Sequence, residues 1–214
     1  MKEISLSQIV PEVFSQREKK ESDIWYREVA FTKGEVCLLE AVSGAGKSSL
    51  CSYLYGYRSD YQGTICFDGE NIRNFSKTQW AELRRVSLSI LFQELRLFQE
   101  LTAWENILIK NNLTGYKTLQ WIENCFHLLG IEDKKDVTVA KLSFGQQQRI
   151  AFVRALCQPF DFVFLDEPVS HLDINNNRIL GELLAEEVKQ QGAGVIVTSI
   201  GNPLNIKYDK IMQL

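Results

Sequence analysis

Residues 41–49 read Ala41-Val42-Ser43-Gly44-Ala45-Gly46-Lys47-Ser48-Ser49, or AVSGAGKSS, and the architecture of the chain turns on how they are interpreted. The Gly-Lys-Ser ending is that of a phosphate-binding loop, but a strict pattern asks for glycine where Ala41 stands. Residues 35–40 form a short, nearly continuous apolar run, as a buried strand does, and residues 48–55 place Leu50 and Leu54 at helical spacing. Strand, glycine-rich turn and helix, in that order, are the context a phosphate loop requires. A helix N-terminus leaves backbone N–H groups unpaired and carries about half a positive charge, so the turn feeding it suits an anion. Gly44 and Gly46 let the backbone wrap closely, and Ser43, Ala45 and Ser49 complete the amide-lined turn. Lys47 is long enough to reach terminal phosphates, and the Ser48 hydroxyl suits Mg²⁺. A glycine-rich helix cap with an exposed Lys47 is the competing reading. Ala41 weighs little either way: it costs about 1–2 kcal/mol if its φ must be positive and almost nothing otherwise.

The rest of the chain reads as an α/β protein. Ile4, Leu6 and Ile9 alternate as in a strand, residues 63–69 look like a strand closed by an Asp-Gly turn, and a helix at 78–85 precedes a strand at 87–92. From 97 to 156 the pattern is helical, with Leu119, Ile122, Phe126 and Leu129 along one face, and reads as a separate helical lobe. Strand character returns at 160–165 and 194–198, separated by a helix at about 175–191, and that order implies a parallel sheet. There is no internal repeat, and four prolines are too few for a Pro-rich linker.

A chain of 214 residues is long enough for one sizeable core with a smaller lobe. Its longest apolar stretches fall far short of the roughly 20 residues of a membrane span, and MKEISLSQIV has no secretory-signal pattern, so a cytoplasmic location is expected. A net charge of −3 and a pI of about 5.6 argue against nucleic acid as a partner. The one basic-looking run, Arg17-Glu18-Lys19-Lys20-Glu21, mixes signs and reads as a solvated loop. Five cysteines without a C-x-x-C pair fit reduced, mostly buried thiols rather than disulfides or a zinc site.

Five further segments follow the loop in one order. They are Ile90-Leu91-Phe92-Gln93-Glu94, Leu142-Ser143-Phe144-Gly145-Gln146-Gln147-Gln148-Arg149, Phe162-Val163-Phe164-Leu165-Asp166-Glu167-Pro168, Ser170-His171-Leu172-Asp173 and Val197-Thr198-Ser199-Ile200. With these the chain resembles the ATP-binding cassette ATPases over nearly its full length. In that family they correspond to the Q-loop, the signature motif, Walker B, the D-loop and the switch segment. The resemblance implies a phosphate-loop NTPase core, about 1–93 and 159–214, with a mostly parallel sheet and an N-terminal antiparallel β portion. A helical subdomain, about 94–158, is inserted into it.

The resemblance also implies roles. Asp166 would hold the water shell of Mg²⁺ and Gln93 would offer it a neutral oxygen, completing with Ser48 a hard-cation set. Glu167 would orient or deprotonate the water that attacks ATP. Two copies would sandwich two nucleotides, Ser143, Gly145 and Gln146 contacting the γ-phosphate bound by the opposite copy. Phe14, 33 residues before Lys47, is the best candidate to stack on adenine, with Trp25 and Tyr26 as rivals.

Two positions depart from the family pattern. Phe144 stands where the signature usually has its first glycine, and Ser199 stands where a histidine usually follows Thr198. Ser199 counts as a catalytic candidate with two outcomes: slower turnover, or a site that binds ATP, closes and hydrolyses poorly. His171 either compensates or serves only packing, and His127 is expected to be structural. Lacking a span of its own, the chain looks like the separate ATPase subunit of a transporter whose integral membrane permease is another polypeptide, placing it peripherally on the inner face of the cell membrane. Its compactness, with no extension after Leu214, looks like the lipoprotein-release and macrolide-export type. Leu97, Phe98, Leu101, Trp104, Glu105 and Asn106, within 94–107, are expected to receive the permease or else to fill the helical core. A nucleotide-driven dimerisation switch and a soluble non-transport ATPase are the other functional classes.

Overall fold

The computed structural model describes residues 1–14 and 21–214, so the mixed-sign run beginning at Arg17 lies, but for Glu21, outside the described residues. Five strands, β3 (Val36–Glu40), β6 (Leu88–Leu91), β7 (Phe162–Asp166), β8 (Gly194–Ser199) and β9 (Lys210–Gln213), form a parallel sheet in the order β6-β7-β8-β3-β9. Four others, β1 (Glu3–Pro11), β2 (Glu28–Thr32), β4 (Tyr61–Phe67) and β5 (Glu70–Asn71), form an antiparallel sheet in the order β2-β1-β4-β5. The helices are α1 (Lys47–Leu54), α2 (Lys77–Val86), α3 (Ala103–Asn111), α4 (Leu119–Leu128), α5 (Phe144–Leu156) and α6 (Ile174–Gln191).

Every residue of β7 and β8 is buried, as befits parallel strands covered on both faces. The period of two divides β7 between two cores. Phe162 and Phe164 join a cluster with Leu50 and Leu54 of α1 and Ile4, Leu6 and Ile65 of the antiparallel sheet. Val163 and Leu165 join the other, with Ile107 of α3, Phe126 of α4, Phe152 of α5 and Leu184 of α6. Capping boxes start three of the helices, Ser76 with Gln79 on α2, Thr102 with Glu105 on α3 and Ser143 with Gln146 on α5.

The expected helix at 78–85 and the strands at 35–40, 87–92, 160–165 and 194–198 are present within a residue or two. β2 and β9 had no clear pattern, because β2 buries only Phe31 and β9 leaves Ile211 61 % exposed. Leu119 departs from expectation: Ile122, Phe126 and Leu129 are buried, but Leu119 opens α4 directly after the Thr118 cap and is 57 % exposed. The set within 94–107 divides. Leu97 is in the core, Asn106 is fully buried holding Phe98 through both backbone groups, and Glu105 caps α3, whereas Phe98 is 52 % exposed.

α6 fixes the segment between β8 and β9. Asn177 donates to the Pro203 carbonyl at 3.1 Å and accepts from the Asn205 amide at 2.8 Å. At Gly181 a Cβ would lie 2.1 Å from the Asn205 carbonyl oxygen, a clash with backbone. Gly181→Ala is therefore expected to lower stability by about 1–3 kcal/mol, as overpacking does. A urea midpoint equal to that of the unmutated chain would show the segment free to move away.

Candidate active site

Three neighbouring parallel strands end together. Glu40 of β3 is paired with Ser199 of β8, and Asp166 of β7 with Thr198 of β8, so the loop after β3 and the acidic pair after β7 emerge at the carboxyl edge of the sheet. The Ala41 amide donates to the Ser199 carbonyl at 3.2 Å, tying the loop to that edge. Gly44 and Gly46 are the loop residues with positive φ, 77° and 102°, whereas Ala41 has none, so alanine there carries no strain.

Gly46 has a second reason to be glycine: a Cβ would meet the Trp25 ring at 2.9 Å and the Phe14 ring at 3.1 Å. Trp25, 7 % exposed, donates its indole N–H to the Ala45 carbonyl at 3.0 Å. It braces the loop from beneath. Phe14, half-buried, stands edge-on to Trp25 with centroids 6.5 Å apart.

Lys47 is 5 % exposed. Its ammonium donates to the Val42 and Ala41 carbonyls at 3.1 and 3.4 Å and lies 3.4 Å from Glu167 Oε1. Ser48 Oγ donates to Gln93 Oε1 at 3.1 Å and lies beside Asp166. Asp166 is 3 % exposed, and burial pushes its carboxyl above the usual range despite the hydrogen bond from Thr198 Oγ1 at 2.6 Å. Glu167 takes a left-handed φ of 51°; Thr198 Oγ1 and carbonyl accept from its amide, both at 3.2 Å, and Gln148 Nε2 donates to its carbonyl at 3.1 Å.

The chain thus brings Lys47, Ser48, Gln93, Asp166 and Glu167 into one hydrogen-bonded and ion-paired group. Ser43 and Gly44 are exposed on the loop, and Ser49 Oγ accepts from Arg58 at 3.0 Å. Ser143, Gly145 and Gln146 open α5 and join no hydrogen bond of that group among the described residues. Ser199 is 2 % exposed and its Oγ is enclosed without a hydrogen-bond partner. Sequence reasoning did not assign Thr198, Gln148 or the bracing role of Trp25. Thr198 was within reach, lying beside Ser199 in a quoted segment, but a tryptophan indole bonding a carbonyl 20 residues on leaves no mark in sequence.

Ser48, Gln93 and Asp166 supply three oxygens and one negative charge, a set that fits Mg²⁺ sharing its remaining positions with phosphate and water. Among the described residues no cluster of three His, Cys, Asp or Glu side chains stands ready for a metal alone.

A phosphate loop at the carboxyl edge of a parallel sheet, with an acidic pair ending the neighbouring strand, defines a mononucleotide-binding P-loop protein. Residues 27–170 match the ABC transporter family, and the chain belongs to it. It is 34 % identical over 157 residues to the lipoprotein-releasing system ATP-binding protein LolD of Buchnera aphidicola subsp. Schizaphis graminum, covering 72 % of this chain and 69 % of that one. It is 30 % identical over 186 residues to the ABC transporter ATP-binding protein YtrE of Bacillus subtilis, covering 85 % and 80 %. The dimeric ATP-binding cassette MJ0796 bound to ADP and Pi shares the fold with a TM-score of 0.76 at 21 % identity, over 93 % of this chain and 88 % of that one. The chain is an ATP-binding cassette of a transporter.

Burial makes the Asp166 charge costly when no cation is bound. A carboxyl whose folded pKa is raised detracts from stability at neutral pH, and the loss is relieved as pH falls through the raised value. Asp166→Asn is therefore expected to stabilise the ligand-free chain at pH 7 by about 1 kcal/mol, or about 2–4 °C in melting temperature. A lower melting temperature would show that the ionised carboxyl is a net support of the fold.

Proposed function

We propose that this chain is the ATP-hydrolysing motor subunit of a transporter, working as a dimer that encloses two MgATP and drives a separate membrane permease. What carries the reading is the state of Lys47. A nearly buried ammonium satisfied, among the described residues, by its own loop's carbonyls and Glu167 at 3.1–3.4 Å is set to exchange these long contacts for an anion. In the proposed complex Lys47 meets the terminal phosphates, while the amides of 43–49 and the start of α1 hold the rest. Ser48, Gln93 and Asp166 would hold Mg²⁺, which would supply positive charge against that of the phosphates. Losing Lys47 as ion partner leaves Glu167 to orient the attacking water. Phe14 serves the adenine, because Trp25 is committed beneath Gly46. Ser143, Gly145 and Gln146 complete the pocket of the opposite copy.

No helix among the described residues is long and apolar enough to cross a membrane. Attachment to the inner face of the cell membrane would come through the permease, and residues 94–158, as a helical lobe on a core of 1–93 and 159–214, would receive it. The surface near Phe98 supports this. Phe98 and Tyr57 are more than half exposed, and Arg96 lies over the rings of Tyr57 and Phe92. Nearby Lys110, lowered to about 8 by burial and by Arg154, bonds only the Arg84 carbonyl and faces no carboxylate among the described residues.

A second reading, an ATP-driven dimerisation switch with weak hydrolysis, is favoured by one observation: the Ser199 hydroxyl is sealed in the sheet edge.

Calorimetry is expected to find ATP binding in the unmutated chain and little in Lys47→Ala; equal binding would overturn the loop assignment. Phosphate release is expected to fall about 10²-fold or more in Glu167→Gln, as loss of a general base does. Equal, negligible rates in both would favour the switch. Phe98→Glu is expected to move the chain out of the membrane fraction of its native cell with ATP affinity unchanged; undiminished membrane association would place the permease elsewhere.

A further inference from the structure

One of the two departures, Phe144, meets the imidazole of His171. Their ring centroids are 4.6 Å apart at 68°, an edge-to-face contact between the first residue of α5 and the segment after β7. His171 Nδ1 is 2.9 Å from Ser170 Oγ. Gln148 Nε2 donates to Ser170 Oγ at 3.4 Å and to the Glu167 carbonyl at 3.1 Å, and the Ser170 amide approaches the same carbonyl at 3.5 Å. With the His171 proton on Nε2, Nδ1 accepts the Ser170 proton while the Ser170 oxygen accepts from Gln148, so each donor meets an acceptor. A chain of hydrogen bonds thereby runs from the imidazole to the backbone of the candidate base, which sits at a left-handed φ that a non-glycine residue holds only at a cost.

We propose that His171 is a positioning residue for Glu167: held edge-on by Phe144, it orients the Ser170 hydroxyl, which with Gln148 fixes the strained Glu167 backbone. The inference rests on the hydrolysis reading above. The chain has two histidines, and the other, His127, is exposed on α4 with its Nδ1 2.7 Å from Glu132. His171 is therefore the single imidazole linked to this site, while the hydroxyl at position 199 is enclosed. Phe144, 43 % exposed, gives up solvent freedom to hold that ring in place.

Having two histidines permits a direct test. In mildly alkaline buffer, ¹⁵N-histidine labelling of the full chain is expected to show His171 with its proton on Nε2. Ser170→Ala and Phe144→Ala should each shift the His171 ring signals and leave those of His127 in place. In steady-state hydrolysis, His171→Ala is expected to lower kcat about tenfold, equivalent to about 1.4 kcal/mol, with KM for ATP within about twofold. His171→Asn, whose Oδ1 can accept from Ser170, should recover most of kcat. An unchanged kcat in His171→Ala, a rise in KM alone, or a His171 ring indifferent to Ser170→Ala overturns the positioning role and leaves the hydrolysis reading standing. Absence of turnover in the unmutated chain overturns both.

Discussion

A buried ammonium short of good partners governs this molecule. Lys47 is almost wholly withdrawn from water, yet its closest oxygens lie at 3.1–3.4 Å, whereas charge-assisted hydrogen bonds run to about 2.7–2.9 Å. Nearby is Asp166, a carboxylate that burial also penalises. A cation and an anion, each incompletely compensated, make a site whose free energy falls when a phosphate and a divalent cation arrive together. The fold can keep them so because they stand on rigid ends. β7 and β8 are buried throughout, and Trp25 locks the loop from below at a glycine that admits no Cβ.

The parallel core was legible because its strands announce themselves twice. Residues such as Phe162, Val163, Phe164 and Leu165 are continuously apolar, as strands covered on both faces must be, and each ends in chemistry recognisable by type: Gly-Lys-Ser, Asp-Glu, Thr-Ser. The amphipathic helices were legible by spacing, though Leu119 misled, since a helix's first residue can overhang the surface that its later turns bury. β2 and β9 were illegible because they are half-exposed edge strands specified by their neighbours' hydrogen bonds. In the site, residue identities were readable and their mutual contacts were not. No spacing rule foretells that Thr198 donates to Asp166, or that Gln148 reaches back to the carbonyl of Glu167.

The family departures are of different physical kinds. Ala41 is conformationally idle, since its φ is not positive. Phe144 adds a ring where glycine offered only backbone, and that ring finds an intramolecular partner in His171. Ser199 is a loss: its side chain is too short to leave the sheet edge, and its oxygen is buried without a hydrogen bond, a state that costs about 1–3 kcal/mol. Phe144 and Ser199 therefore do not form one trend toward inactivity. One shortens the reach of the site, and the other secures an imidazole beside its candidate base.

The same logic extends to the far side of Gln93. Leu95 and Arg96 take consecutive left-handed conformations, φ 60° and 47°, that cost about 1–2 kcal/mol each in residues bearing a Cβ. Arg154 of α5 holds them there by donating to both of their carbonyls, at 2.6 and 2.8 Å. Burial draws that guanidinium down to about 10, so its hydrogen bonds substitute for lost water rather than supplement it. Strain and clamp oppose each other two residues from a Mg²⁺-ligand candidate and two from the exposed Phe98 ring. In the proposed assembly, a partner pressing on Phe98 and Arg96 acts on the very backbone whose kink Arg154 maintains. Gln93, two residues before Leu95, is hydrogen-bonded to Ser48 at 3.1 Å, so this strained turn adjoins the site directly in sequence.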